Sequence, residues 1–268
     1  MARPIPMAER ARGLLVGLAR GHAGAAGAED RLTGEAALAA ILAEELLEAE
    51  VDLRRLAERW IAWSRRDGRR LSPRTVEALE HLGRYDSPLG AGPGMDDAGP
   101  LVRMLPIAIV TAAQPRNLVS GTWHTVMLTH PDPALAWTAV AVNVAAAQLL
   151  RGHRDFLPDV IEALQANDAA GKVLSAVRRI PFVTFGELDG GGVAALAATE
   201  AALWIARQEF RVERAFAGPA AGPSDQAALI GALLGAREGE QGLPPGTTPE
   251  SERLRSLAKR LATPRPAP

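Results

Sequence analysis

Cysteine is absent from this chain of 268 residues. Its absence excludes disulfides, thiolate nucleophiles, cysteine-ligated zinc and iron–sulfur clusters. Any metal ion must therefore be bound by oxygen or histidine ligands. Aromatic residues are also scarce, with five Phe, five Trp and one Tyr, so alanine and leucine supply most of the apolar surface.

The chain also lacks an excess of either charge, since its 30 Lys and Arg residues are balanced by 31 Asp and Glu residues. A polyanion such as a nucleic acid is therefore not expected as the main partner. The longest apolar stretch, 134–150, is interrupted by Thr138, Asn143 and Gln148, so it predicts a buried helix and no membrane span. The apolar run 14–19 is too short for a secretory signal. We therefore expect a cytoplasmic protein that binds no nucleic acid and no membrane.

The spacing of apolar residues predicts at least eight helices and almost no strand. Asp52 is a candidate N-cap of one of these helices. The buried face of this helix is predicted to contain Leu53, Leu56, Trp60 and Trp63. The fold class is therefore all-α.

Three helices are predicted to begin where a capping residue precedes proline: Ser72-Pro73, Asp132-Pro133 and Thr248-Pro249. Gly83 and Gly152 are expected to end the first two. No polar linker divides the chain, which predicts a single compact multi-helix bundle over residues 1–268. Its proline-rich tail, 263–268, is expected to fray.

The motifs of common enzyme classes are missing: the serine hydrolase elbow, the P-loop, the dinucleotide fingerprint and the HExxH zinc motif. The five histidines form no i, i+4 pair that would bind a metal. Candidate site residues remain where glycine-rich loops meet helices, at 33–35, at Asp96 and Asp97, at Glu187 with Asp189, and at 224–226. Taken singly, each of these is also explained as a helix cap or a solvated turn.

Six segments give these candidates a common context through their order and glycine spacing. They are RARGLLVGLARGHA at 10–23, LTGEA at 32–36, GPLVRMLP at 99–106, THPDP at 129–133, TEAALW at 199–204 and GPSDQAALIGALLGA at 222–236. Together they resemble the ADP-ribosylglycohydrolase family, of the dinitrogenase-reductase-activating glycohydrolase and related crystallin type, over nearly the whole chain. The resemblance implies an all-α bundle that hydrolyses the bond between ADP-ribose and a modified side chain.

The resemblance also implies a site in which two Asp/Thr motifs hold a pair of Mg or Mn ions. Oxygen ligands suit such hard cations. By this resemblance Thr33, Glu35 and Asp225 would bind metal, and Glu35 would be the catalytic residue. An ADP-ribose-type small molecule or an ADP-ribosylated protein would be the partner. The residues that would contact this ligand are Asp97, Gly99, Ser224 and Gln226.

Departures from the family pattern weaken this metal site. Gly34 and Ala36 stand where the family has Asp and Thr, and neither offers a side-chain oxygen. In the last motif Pro223 replaces an Asp, and proline offers neither an oxygen nor a backbone N–H. Gln226 replaces a Thr, while Ser224 stands at another Thr position. Two divalent cations cannot be balanced by the remaining carboxylates, so we expect at most one weakly held Mg or Mn ion.

Three functional hypotheses follow from the sequence. In the first, the protein has lost or reduced hydrolase activity and retains binding of an ADP-ribose-type ligand. In the second, it is an active hydrolase in which Asp96 or Asp97 replaces the missing carboxylates. In the third, it is a structural or interaction protein that reuses the fold without a small ligand.

Overall fold

The computed structural model describes residues 4–26, 31–48, 51–85, 95–208, 212–217, 224–246, 248 and 250–263. Within them the chain is all-α, which confirms the predicted fold class. Its helices are α1 (Met7–Ala26), α2 (Gly34–Glu45), α3 (Leu53–Asp67), α4 (Pro73–Tyr85), α5 (Gly99–Arg103), α6 (Leu105–Thr111), α7 (Pro115–Met127), α8 (Pro133–Leu150), α9 (Leu157–Ala166), α10 (Gly171–Arg179), α11 (Ala194–Arg207), α12 (Val212–Ala217), α13 (Ser224–Glu238) and α14 (Ser251–Leu261). The domain extent stays a prediction, and 264–268 of the expected tail lies outside the described residues.

Capping residues set several helix starts where the sequence predicted them. The Asp52 side chain accepts hydrogen bonds from the backbone N–H groups of Arg54 and Arg55 at the start of α3. Asp132 does the same for Ala134 and Leu135 at the start of α8. These bonds satisfy N–H groups that have no partner within the helix.

Two predicted boundaries were wrong by about two residues. α4 continues past Gly83 to Tyr85, because Gly83 lacks the positive φ with which a glycine ends a helix. α14 begins at Ser251 and not directly after Thr248-Pro249, because Glu250 precedes it with a left-handed backbone (φ 48°). Pro249 lies outside the described residues.

The α1–α13 contact brings two helix backbones together along small residues. A Cβ on Gly17 would lie 2.0 Å from the carbonyl oxygen of Gly231, and one on Gly13 would lie 2.1 Å from that of Gly235. No side chain fits at this distance, so these positions require glycine. The contact fixes the start of α13 beside the C-terminal half of α1, where Gly21 faces Ala227.

The core is built around α8 and the tryptophan face of α3. In the described part of the chain α8 is the one helix long and apolar enough to span a membrane, and 89% of it is buried inside the bundle. This burial is typical of a core helix. Trp60 is fully buried and Trp63 is 8% exposed, which confirms their predicted position. Trp60 Nε1 also donates a hydrogen bond to the carbonyl oxygen of Leu38 (3.0 Å), tying α3 to α2.

Candidate functional site

The first junction is the N-terminus of α2, where Thr33 is the N-cap and Gly34 begins the helix. Thr33 is buried, and its side chain makes no capping hydrogen bond. Gly34 has a left-handed backbone (φ 52°), and its N–H donates to the carbonyl oxygen of Arg69 (3.1 Å). Glu35 follows in the first turn and is only 1% exposed. The helix start thus directs one carboxyl group into the protein interior.

The space beside Gly34 is already occupied. A Cβ at this position would lie 2.7 Å from the carbonyl oxygen of Arg70 and 2.9 Å from Nε2 of His22. The positive φ adds strain for any residue that carries a side chain. Position 34 can therefore carry a side chain only if the surrounding backbone moves.

The loop before α5 supplies the second carboxyl group, Asp97. Its Oδ1 accepts a hydrogen bond from the backbone N–H of Gly99 (2.8 Å), and its Oδ2 accepts one from the hydroxyl of Ser72. His130 Nε2 lies 3.3 Å from the same Oδ2. These donors hold the pKa of Asp97 well below its usual range, against the effect of burial, and Arg103 acts in the same direction. Asp97 is therefore an ionised, structurally fixed carboxylate.

Thr75 joins the two carboxyl groups. Its Oγ1 lies 3.0 Å from Glu35 Oε1 and 3.1 Å from Asp97 Oδ2. A hydroxyl group has one proton to donate, so the two carboxyl groups share it. Gly99 also makes room for Glu35, because a Cβ there would lie 2.6 Å from Glu35 Oε1.

Arg103 is the buried cation of this cluster. Its guanidinium is fully buried, with Nε 3.4 Å from Glu35 Oε2. Neither of these two atoms makes an aligned hydrogen bond, so the attraction between them is purely electrostatic. The guanidinium carbon lies 5.5 Å from the Trp60 ring centroid, a cation–π distance. Core packing thus holds a permanent positive charge beside the carboxyl groups.

His130 completes the network as a neutral side chain. Burial lowers the pKa of its imidazole, and the positive charge of Arg103 lowers it further. Asp97 has the opposite effect and raises this pKa. Its Nδ1 lies 3.4 Å from Arg103 Nη2, while its Nε2 faces Asp97. A proton on Nε2 leaves Nδ1 free to accept from Arg103, so this tautomer suits both neighbours.

The second predicted junction, the start of α13, converges on the same cluster. Burial raises the pKa of Asp225 to about 6, with Asp97 adding to the increase and Arg103 opposing it. Asp225 in turn contributes, with burial and Asp97, to raising the pKa of Glu35 to about 8. Residues nearly 190 positions apart in sequence thus affect each other's ionisation.

The predicted residues are distributed as follows. Glu35, Asp97 and Gly99 lie together, with Asp225 close enough to act on them electrostatically, and Thr33 begins the same helix as Glu35. Ser224 and Gln226 flank Asp225 at the start of α13 and are partly exposed. Asp96 lies outside the cluster: it is exposed and pairs with Arg74 (3.1 Å).

Sequence reasoning missed four members of the network: Ser72, Thr75, Arg103 and His130. Ser72 was interpreted only as a helix cap, a role it also has, since its Oγ accepts from the Thr75 N–H (3.0 Å). Arg103 and His130 stand inside the segments that carried the family resemblance. A charged residue within an apolar helix was the signal that could have singled out Arg103.

A separate apolar groove, with a cavity volume of about 930 Å³, lies between the ends of α2, α6, α7 and α14. Its lining includes Leu42, Ile107, Val110 and Leu261. None of the cluster residues lines it. The groove therefore belongs to a different part of the molecule from the carboxyl cluster.

Comparisons with known proteins agree with this architecture. Residues 3–267 match the model of the ADP-ribosylglycohydrolase family. A solved structure titled "ADP-ribosylglycohydrolase-related protein complex" superposes with a TM-score of 0.74. It is 24% identical in sequence, over 96% of this chain and 98% of that one, so the likeness establishes the fold. No curated protein matches the chain.

Proposed function

This chain belongs to the ADP-ribosylglycohydrolase family, and we propose that it binds an ADP-ribose-type ligand with lost or reduced hydrolase activity. The observation that carries the proposal is the state of Glu35. Its junction converges with that of Asp225, as a ligand cleft requires, while its carboxyl oxygens are engaged by Thr75 and Arg103. The proposed ligand cleft would thus lie at the starts of α2 and α13, above carboxyl groups committed to internal contacts.

The start of α13 would provide the ligand contacts. Its backbone N–H groups and the positive end of its helix dipole favour a pyrophosphate. Ser224, Asp225 and Gln226 would bind ribose hydroxyls, since all three are only partly buried. Glu35, at 1% exposure, would form the floor of the cleft.

The proposed binding is tested by calorimetric titration of ADP-ribose into the wild-type protein, with Mg and with EDTA. We expect saturable binding, weakened about tenfold by Asp225→Ala through loss of a charged hydrogen-bond acceptor. Asp96→Ala is the matched control, because this exposed aspartate lies outside the cluster, and its affinity should stay within about twofold of wild type. Absence of binding to the wild type would favour the structural hypothesis.

An active hydrolase with a remodelled site is the second candidate, favoured by the position of Asp97. The hydroxyl of Thr75 contacts both Asp97 and Glu35. Glu35, with a pKa of about 8, holds its proton at neutral pH, as a general acid must. Turnover of ADP-ribosyl-arginine under Mg or Mn distinguishes the candidates. We expect it to be near background; turnover abolished by Asp97→Asn but not by Asp96→Asn would establish the second candidate.

A further inference from the structure

The metal pair that the family pattern implies does not fit the residues of this cleft. The first missing ligand position is Gly34, where a Cβ would meet the carbonyl oxygen of Arg70 at 2.7 Å and Nε2 of His22 at 2.9 Å. The chain has thus lost an aspartate and also filled the space that its side chain would need.

Three of the four oxygens of the two buried carboxyl groups already accept hydrogen bonds, and the fourth, Glu35 Oε2, lies beside Arg103 Nε. Both oxygens of Asp97 accept hydrogen bonds, from Gly99 and from Ser72, and Thr75 and His130 also face Oδ2. Glu35 faces Thr75 with one oxygen and Arg103 with the other. A divalent cation needs several oxygen lone pairs at about 2.0–2.6 Å, so it would have to displace these contacts.

The remaining charge is balanced from within the fold. Asp97 is ionised and Arg103, also buried, carries one positive charge held against Trp60. We propose that this cleft functions without a divalent cation, because Arg103 supplies the positive charge of its carboxyl cluster. Arg103 is thus a positioning residue: it lies against Glu35 and Thr75, acts on Asp97 through its charge, and leaves ligand contacts to the partly exposed start of α13.

The first test measures metal binding directly, without any nucleotide, so its outcome is independent of the proposed ADP-ribose binding. Wild type, Glu35→Gln and the surface control Asp96→Asn are titrated with Mn²⁺, and free Mn²⁺ is followed by electron paramagnetic resonance. Thermal unfolding is recorded in parallel with EDTA and with about 1 mM Mn²⁺, the upper range of weak protein sites.

We expect the same free Mn²⁺ signal for all three proteins and the same unfolding temperature with metal and with EDTA. Saturable Mn²⁺ binding by wild type and by Asp96→Asn that is lost in Glu35→Gln would overturn the proposal. This test remains valid even if the protein neither binds ADP-ribose nor hydrolyses an ADP-ribosyl bond, because the measurement detects only the binding of Mn²⁺.

The second test examines the role of the Arg103 charge. Arg103→Met removes the charge at similar length, whereas Arg103→Lys keeps it without the guanidinium fork. We expect Arg103→Met to raise the unfolding equilibrium constant on the order of 10²-fold or more, since it leaves buried Asp97 without its cation. Arg103→Lys should recover most of this loss.

Two results would contradict the charge-balancing role. One is a Met variant as stable as wild type, and the other is a Lys variant as unstable as the Met variant. If Arg103→Met yields no folded protein, chemical unfolding of Arg103→Lys and wild type still tests the charge-balancing role. A rise in the unfolding equilibrium constant of Arg103→Lys above about 10²-fold would show that the shape of the side chain, and not its charge, is required.

Discussion

Glu35 and Glu45 lie at opposite ends of α2, and both are almost completely buried. The pKa of Glu35 is nevertheless raised to about 8, whereas that of Glu45 is lowered. Burial is the largest cause of the raised pKa of Glu35, whereas at Glu45 the hydrogen bonds and charges of its neighbours outweigh the effect of burial. Glu45 accepts from two nitrogens of Arg55, from Arg59 and from the Asp52 backbone N–H.

Glu35 has fewer donors and more negative neighbours. Thr75 shares its one proton between Glu35 and Asp97, and the contact of Glu35 with Arg103 is not an aligned hydrogen bond. Asp97 and Asp225 both disfavour a second negative charge. One helix thus carries a satisfied carboxylate that stabilises the fold and a buried carboxyl group whose pKa is strongly raised. Perturbed groups of the second kind are found disproportionately at functional sites.

The largest expected effect is an opposite response to the same substitution at the two positions. At pH 7 Glu45→Gln should lower the free energy of unfolding by about 2 kcal/mol, since charge-assisted hydrogen bonds are lost. Glu35→Gln should raise it by about 1–3 kcal/mol, since the folded protein no longer retains a proton that the unfolded chain releases. Urea unfolding of both variants measures the difference. Equal losses would show that both carboxyl groups are purely structural.

The sequence predicted the helices well, because apolar spacing and caps such as Asp52 and Asp132 are local signals. It also predicted that Glu35 belongs with the start of α13, through the family resemblance. It could not predict the internal network, because the contacts of Arg103 with Glu35 and of Thr75 with Asp97 join residues 22 to 68 positions apart. The backbone angle of Gly34 was likewise invisible, since an ordinary first helical residue would have φ < 0.

The pH dependence of stability should separate the two carboxyl groups. Below about pH 4.5 Glu35 is protonated in both the folded and unfolded states; above it, the unfolded chain loses the proton and the folded protein keeps it up to about pH 8. Stability from this group therefore falls as pH rises, by about 3 kcal/mol between pH 4.5 and 7. Glu45 has the opposite sign: its contribution is present above its usual pKa and is lost as pH falls through its lowered value.

The variants test this assignment. In Glu35→Gln the loss of stability between about pH 6 and pH 8 should disappear, because below pH 6 the raised pKa of Asp225 contributes a loss of the same sign. The loss in acid that depends on Glu45 should remain. Urea unfolding from pH 3 to pH 8 measures both slopes. An unchanged alkaline slope in Glu35→Gln would assign the proton uptake to another group.

Asp97 and its neighbour Asp96 provide a smaller contrast within one loop. Asp97→Asn should lower the free energy of unfolding by about 2 kcal/mol, since the fixed carboxylate accepts several hydrogen bonds in the interior. Asp96→Asn should change it by less than about 0.5 kcal/mol, because its pair with Arg74 is exposed to solvent. Thermal or urea unfolding resolves the two. A large effect of Asp96→Asn would mean that the loop, and not the buried network, provides the stability.

The smallest expected effect comes from returning the family's aspartate to position 34, and it tests whether the cleft has lost only its ligands. Gly34→Asp should lower the free energy of unfolding by about 1–2 kcal/mol, because φ is 52° and a Cβ would meet the Arg70 carbonyl oxygen. Gly24→Ala is the control: a Cβ on this helical glycine would have no neighbouring atom within 4 Å, so alanine should stabilise α1 by about 0.5–1 kcal/mol.

Because the backbone carbonyl of Arg70 cannot be removed by substitution, adding Pro223→Asp and Gln226→Thr to Gly34→Asp should still produce no Mn²⁺ binding. Metal binding by that triple variant would show that the cleft kept its shape and that the loss of ligands alone separates it from a metal site.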